Sequence, residues 1–178
     1  VLHFVRSALG TQTSPPNQVL IGIALFLTLF IMAPVMTQIN KDCIQPYDKG
    51  KLTQEEALNA GLKPIRKFMF EQTNRKDIRL FMEIEKQSND VSIEKEDEIP
   101  TLVLIPAFMI SELRIAFIIG FLIYLPFIVI DMVVASTLMS MGMMMLPPTT
   151  ISMPFKILLF VLADGWNLVI GQLVKTFY

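Results

Sequence analysis

Charge is segregated along this chain in a way that few folds can accommodate. Of its 31 charged side chains, 24 fall within residues 39–100, which hold 11 Lys/Arg and 13 Asp/Glu. Residues 1–38 carry only Arg6, and residues 101–178 carry six charges: Glu112, Arg114, Asp131, Lys156, Asp164 and Lys175. A soluble helix needs a polar face along its whole length. The two flanks lack one, so they must bury themselves in a membrane or against other chains. The pattern is apolar, polar, apolar. The fold class it predicts is an all-α membrane-associated protein, with kinked apolar helices and helical hairpins around an inserted small helical polar domain. The expected divisions are 1–38, 39–100 and 101–178.

Composition narrows the chemistry. The 178 residues are 53% hydrophobic and 17% charged, against about 25% charged in an ordinary soluble domain. A net charge of −1 gives no electrostatic case for nucleic acid. One cysteine, Cys43, excludes an internal disulfide and a cysteine-based zinc site, and one histidine, His3, removes most acid–base and metal chemistry. No catalytic residue, metal site or cofactor is expected, and an enzyme is the weakest reading. The chain begins at Val1 inside an apolar run, so the natural start is expected to lie upstream.

Residues 1–9 read as the last turns of a helix ended by Gly10, followed by a breaker-rich turn, with Asn17 as the cap of the next helix. Residues 19–36 are 18 positions without a charge. As a helix they reach ~27 Å, close to a bilayer core, and Pro34 is expected to bend or end it. In the polar insertion, Thr53-Gln54-Glu55-Glu56 has capping-box spacing, Gly61 reads as a helix stop and Pro64 as the start of a second helix. Ile65, Phe68 and Met69 share one face of that helix, and Ile78, Phe81 and Met82 one face of a third. These stripes predict a subdomain that packs on something. The acidic stretch 90–98, with Glu94, Glu96, Asp97 and Glu98, reads as a solvated loop or a cation site. Pro106 is expected to break an early turn of the following apolar segment. Residues 151–178 read as one more apolar helix, with Phe160, Trp166, Phe177 and Tyr178 as membrane-interface anchors.

Charges within the apolar half are costly, about 2.5–3.5 kcal/mol each at a bilayer centre. Asp131, Lys156 and Asp164 must therefore be paired, line a wet cavity or avoid lipid. If residues 115–141 and 149–175 form a hairpin, Asp131 and Lys156 stand level with one another, each 12.5 positions from the turn centre. Glu112 and Lys175 are level as well, while Asp164 has no level partner. These charges either fix helix register and subunit contacts or form a proton or ion path. The second reading makes the chain a small ion channel or proton-coupled transporter subunit using Asp131, Lys156 and Asp164.

Seven of the 12 methionines lie between Met132 and Met153, three of them consecutive: Met143, Met144 and Met145. Gly142 before and Pro147-Pro148 after hold this run out of helix. Methionine is unbranched and adaptable. Such a loop either fills gaps against a neighbour or acts as a soft gasket where several copies meet around an axis.

The residues singled out also carry a resemblance. Ala8-Leu9-Gly10-Thr11-Gln12-Thr13-Ser14-Pro15-Pro16-Asn17-Gln18-Val19-Leu20 resembles the segment opening the second hydrophobic helix of the FliP family of type III export-gate proteins. Ser111-Glu112-Leu113-Arg114-Ile115-Ala116-Phe117 resembles the start of the family's third. Gly142-Met143-Met144-Met145-Leu146-Pro147-Pro148 resembles its Met loop, and Ser152-Met153-Pro154-Phe155-Lys156 with Leu162-Ala163-Asp164-Gly165-Trp166 its last helix. The likeness covers nearly the whole chain in order. The family's signal peptide and most of its first helix have no counterpart in the sequence. Gln18 and Pro147 match the flagellar rather than the injectisome branch. The resemblance implies a homo-oligomeric ring, pentameric within the gate, with FliQ-like and FliR-like subunits and FlhB-like and FlhA-like export proteins. It implies a bacterial inner (plasma) membrane protein of the flagellar basal body, its insertion 39–100 periplasmic. Unfolded flagellar subunits would be exported through a pore that Met143, Met144 and Met145 constrict. Glu112, Asp131, Lys156, Asp164 and Lys175 would face other subunits instead of lipid.

Overall fold

The computed structural model describes residues 1–86, 99–143 and 145–178, and among them every regular element is helical. The acidic loop read from Glu94, Glu96, Asp97 and Glu98, and the central residue Met144 of the loop, lie outside the described residues. Two apolar stretches, Asn17–Asp48 and Thr101–Ser140, are long enough to cross a membrane, and a bent pair of shorter helices forms a third candidate.

The first helix, α1, is Leu2–Ala8, and it ends as expected at Gly10 (φ 79°), where the backbone needs a left-handed turn. Helix α2 is Asn17–Ile39. Asn17 is its first residue instead of its cap: the Leu20 N–H donates to the Pro16 carbonyl, and the Asn17 side chain is occupied by Arg6. Pro34 does not end α2. The helix continues to Ile39, passes through one wide π-helical turn at Asn40–Ile44 and runs into α3, Gln45–Asp48. A proline removes a single backbone donor, and the apolar residues around α2 favour continued helix over an exposed break. Its two hydroxyls are satisfied within the helix: Thr28 Oγ1 donates to the Ala24 carbonyl at 2.8 Å and Thr37 Oγ1 to that of Ala33 at 2.9 Å. Thr137 and Ser140 do the same near the end of the second long helix. Hydroxyls bonded to their own turn add no polar demand to a helix in apolar surroundings.

By compactness the chain divides into two units, residues 29–115 and residues 1–28 with 116–178. In the first, helix α4 is Gln54–Gln72, and its capping box is complete: the Thr53 N–H and Oγ1 both donate to Glu56 Oε2, at 2.8 and 2.9 Å. These bonds hold the Glu56 carboxyl below the ordinary carboxylate range, the backbone donor contributing most. A depressed folded value gives stabilisation that is present above the ordinary glutamate pKa and lost as pH falls through the folded value. Acidification is therefore expected to fray the first turn of α4 before the rest of the unit, read as early loss of hydrogen-exchange protection at residues 56–58. Equal protection along α4 at low pH would refute it.

The expected stop at Gly61 and restart at Pro64 do not occur, because α4 runs through both. Gly61 is there for closeness. A Cβ at this position would sit 3.3 Å from Cys43 Sγ, whose thiol donates to the Ala57 carbonyl at 3.0 Å. Helix α5, Arg75–Lys86, turns its stripe inward as read: Ile78 and Met82 are fully buried. They pack with Ile99, Val103, Leu104 and Ala107, flanked by Met69, Phe70 and Phe81. What the polar insertion packs on is thus the opening of helix α6, Thr101–Ser140. That helix is continuous through Pro106, which falls in its first turns where Leu104 and Ala107 anchor the face.

In the second unit, Val5, Ala8 and Leu9 of the first helix region pack with Phe127 and Phe160. The expected single helix over 151–178 is broken: α7 is Pro148–Leu162, α8 is Gly165–Lys175, and they meet at a 63° bend. Asp164 makes the corner in a left-handed conformation (φ 50°). The bend brings Trp166 edge-on to Phe160, centroids 5.4 Å apart. Phe160 is thus buried in an internal cluster, with Trp166 partly buried against it.

Candidate functional site

The methionine loop begins where α6 stops. Gly142 (φ 76°) takes the left-handed position, the Met143 N–H reaches back to the Leu138 carbonyl at 3.0 Å, and the Gly142 N–H to that of Met139 at 3.1 Å. This pairing is a Schellman ending. At the other side Pro147 precedes α7 in an extended conformation and Pro148 occupies its first turn. The loop is pinned at both ends while two of its methionines are left bare: Met145 is 99% exposed and Met143 is exposed as well.

Farther along the same two helices, α6 and α7, lies the charged pair. Lys156 Nζ meets Asp131 Oδ2 at 2.6 Å, and Ser152 Oγ donates to the other oxygen, Oδ1, at 2.5 Å. Ser152 and Lys156 are four residues apart, so both reach α6 from one face of α7. The Lys156 side chain is 4% exposed and that of Asp131 30%. The level placement of Asp131 and Lys156 is realised as contact. Ser152 was not anticipated, although its i, i+4 spacing from Lys156 was the available signal.

The remaining sequence-derived residues fall elsewhere. Asp164 is exposed and accepts from Asn167 Nδ2 at 3.0 Å. Lys175 is exposed in the last turn of α8, where the helix dipole favours a cation. Glu112, in the unit 29–115, has its Oε1 buried without a hydrogen-bond partner among the described residues. Its sequence neighbours Ser111 and Arg114 are engaged by Asp77: Ser111 Oγ donates to Oδ2 at 2.9 Å and Arg114 Nη2 to Oδ1 at 2.5 Å. The Asn74 N–H closes the network on Ser111 Oγ at 2.7 Å. Asp77 escaped the sequence reading. Its signal is a carboxylate on the α5 stripe, adjacent to Ile78 and four residues before Phe81.

These features define a helical membrane-type protein whose apolar helices carry internally paired charges and present an exposed methionine loop. The profile of the FliP family matches residues 1–173, and the chain belongs to that family. It is 55% identical over 177 residues to the flagellar biosynthetic protein FliP of Bacillus subtilis (strain 168), covering 99% of this chain and 79% of that one. It is 48% identical over 178 residues to the protein of the same name from Pectobacterium carotovorum subsp. carotovorum, covering 68% of it. The Aquifex aeolicus (strain VF5) protein of that name is 48% identical over 177 residues, 74% of its length.

Proposed function

We propose that this chain is a pore-forming core subunit of the flagellar type III protein export gate, in which Met143, Met144 and Met145 form a gasket around the passing chain. The observation that carries the reading is the loop itself. Its ends are fixed by Gly142 and by Pro147-Pro148, yet Met145 is almost wholly exposed. A large, soft, apolar side chain held in the open by rigid ends needs something to close on. Copies of the same loop around an axis supply it. The most apolar segments of the two long helices are largely exposed within the chain, which leaves surface for a ring of copies and for FliQ-like and FliR-like subunits. FlhB-like and FlhA-like proteins would lie beyond them, and residues 39–100 would face the periplasm. The role is structural, the substrates are unfolded flagellar subunits, and the setting is the inner membrane within the basal body.

The channel or transporter alternative needs charges free to exchange protons or ions. Asp131 and Lys156 instead neutralise each other across two helices, which favours a register role. In assembled gates in cells, replacing Met143, Met144 and Met145 together by Gly is expected to raise ion leakage at least tenfold while the ring still assembles. Unchanged leakage in an intact ring would refute the gasket.

A further inference from the structure

Arg6 is a buried cation without a counter-charge among the described residues. It is 8% exposed, and its bonds all go to neutral acceptors. Nη1 donates to the Pro15 carbonyl at 3.1 Å and to Asn17 Oδ1 at 2.7 Å, and Nη2 lies 3.0 Å from His3 Nδ1. A guanidinium has five N–H donors, so two remain unused. Among the described residues Arg6 has no ion pair, and the two carboxylates in its unit are engaged elsewhere, Asp131 with Lys156 and Asp164 with Asn167. Burying a charge opposed only by dipoles is costly.

Arg6 also borders an open cleft of about 540 Å³, lined with it by His3, Thr11, Gln12, Thr149 and Thr150. Among the described residues no carboxylate lines the cleft. The Thr149 and Thr150 hydroxyls, the Gln12 amide and the positive end of α7 line it with Arg6, whereas the Thr11 hydroxyl donates to the Arg6 carbonyl at 3.3 Å. This is the donor set of an oxyanion site, in which a planar fork gives charge-assisted bonds and hydroxyls complete the shell. We infer that the cleft binds a phosphate group. Asn17, which anchors Arg6, is also the first residue of α2, the apolar helix long enough to cross a membrane. The ligand is therefore either free phosphate or the phosphodiester of an anionic lipid lying at the end of that helix. The inference is independent of the gasket.

The test follows thermal loss of helical signal in the purified full chain. One arm compares inorganic phosphate with chloride at matched ionic strength in neutral detergent. The other compares phosphatidylcholine nanodiscs with and without phosphatidylglycerol. A higher midpoint is expected, since a ligand bound only by the folded state stabilises it. Two variants should weaken phosphate binding at least tenfold: Arg6→Gln, and Gln12→Glu, which places a carboxylate in the cleft and supplies Arg6 with an internal partner. Gln12→Glu should keep wild-type helix content, so a folding failure of Arg6→Gln does not decide the matter. A shift with inorganic phosphate identifies a free-anion site, and a shift only with phosphatidylglycerol a headgroup site. No shift in either arm, or a shift that survives Gln12→Glu, overturns the inference. So does loss of subunit assembly in Arg6→Gln without any phosphate response, which would mean that a partner's carboxylate fills the cleft.

Discussion

Replacing Asp131 with Ala is expected to destabilise the unit formed by residues 1–28 and 116–178 by about 3–5 kcal/mol, the cost of stranding one member of a buried ion pair. The stranded member is Lys156, whose side chain is almost fully buried and which, among the described residues, has Asp131 as its only ion-pair partner. The converse change, Lys156→Met, should cost distinctly less. Asp131 is 30% exposed, can recover water and keeps the Ser152 hydroxyl. The double variant Asp131→Ala with Lys156→Met should recover much of the loss, because removing both charges leaves none unpaired. Denaturant unfolding in detergent, followed by helical signal, measures all three. Equal costs for the two single variants, with no recovery in the double, would show that the pair does not set helix register.

Gly165→Ala is expected to cost about 2–3 kcal/mol, near the upper end for overpacking. A Cβ built at Gly165 would lie 2.3 Å from Phe160 Cδ2. The ring has no room to retreat: it stands edge-on to Trp166 and belongs to the cluster with Val5 and Phe127. Alanine would otherwise favour a helical position by about 1 kcal/mol, so a net loss here measures the clash. The change also strikes the corner between α7 and α8, where Asp164 already holds a left-handed backbone. Pairing Gly165→Ala with Phe160→Ala should make the second change cheaper than it is alone. Simple additivity in the unfolding free energies would remove Phe160 as the cause. Gly120, where a Cβ would meet the Phe4 ring at 2.4 Å, is a second site of the same kind.

The parts of the fold that were legible in the sequence are those governed by local chemistry. Thr53 and Glu56 cap α4 because the spacing alone brings donor and acceptor together. Gly142 with Pro147-Pro148 bounds the methionine loop because glycine readily takes the left-handed turn and proline fixes its own backbone. The inward stripe of α5 follows from helical period, and the meeting of Asp131 with Lys156 from equal distances to a turn. Breakers inside helices misled the reading. Pro34, Gly61, Pro64 and Pro106 all lie within continuous helix, because each costs at most one backbone bond or some chain entropy while packing along the helix outweighs it. Gly61 owes its place to Cys43, 18 residues away, and Gly165 to Phe160 across the α7–α8 corner, which forms only because the expected single helix is broken. Asp77 was hidden for the same reason, since its partners Ser111 and Arg114 lie 34 and 37 residues away. Arg6 was visible as the lone charge of its segment, but its neutral shell is a product of the tertiary fold.

Thr28, Thr37, Thr137 and Ser140 each spend their hydrogen on a carbonyl one turn back. An exterior that asks nothing of its surroundings is indifferent to whether hydrocarbon tails or a neighbouring polypeptide covers it. Such a subunit can dwell singly in a bilayer and later trade lipid for protein without breaking or remaking a polar bond along these helices. Any polypeptide that replaced the lipid would have to recognise it by shape and by the few charges it keeps, with no unmet hydrogen-bonding demand from these hydroxyls to guide it.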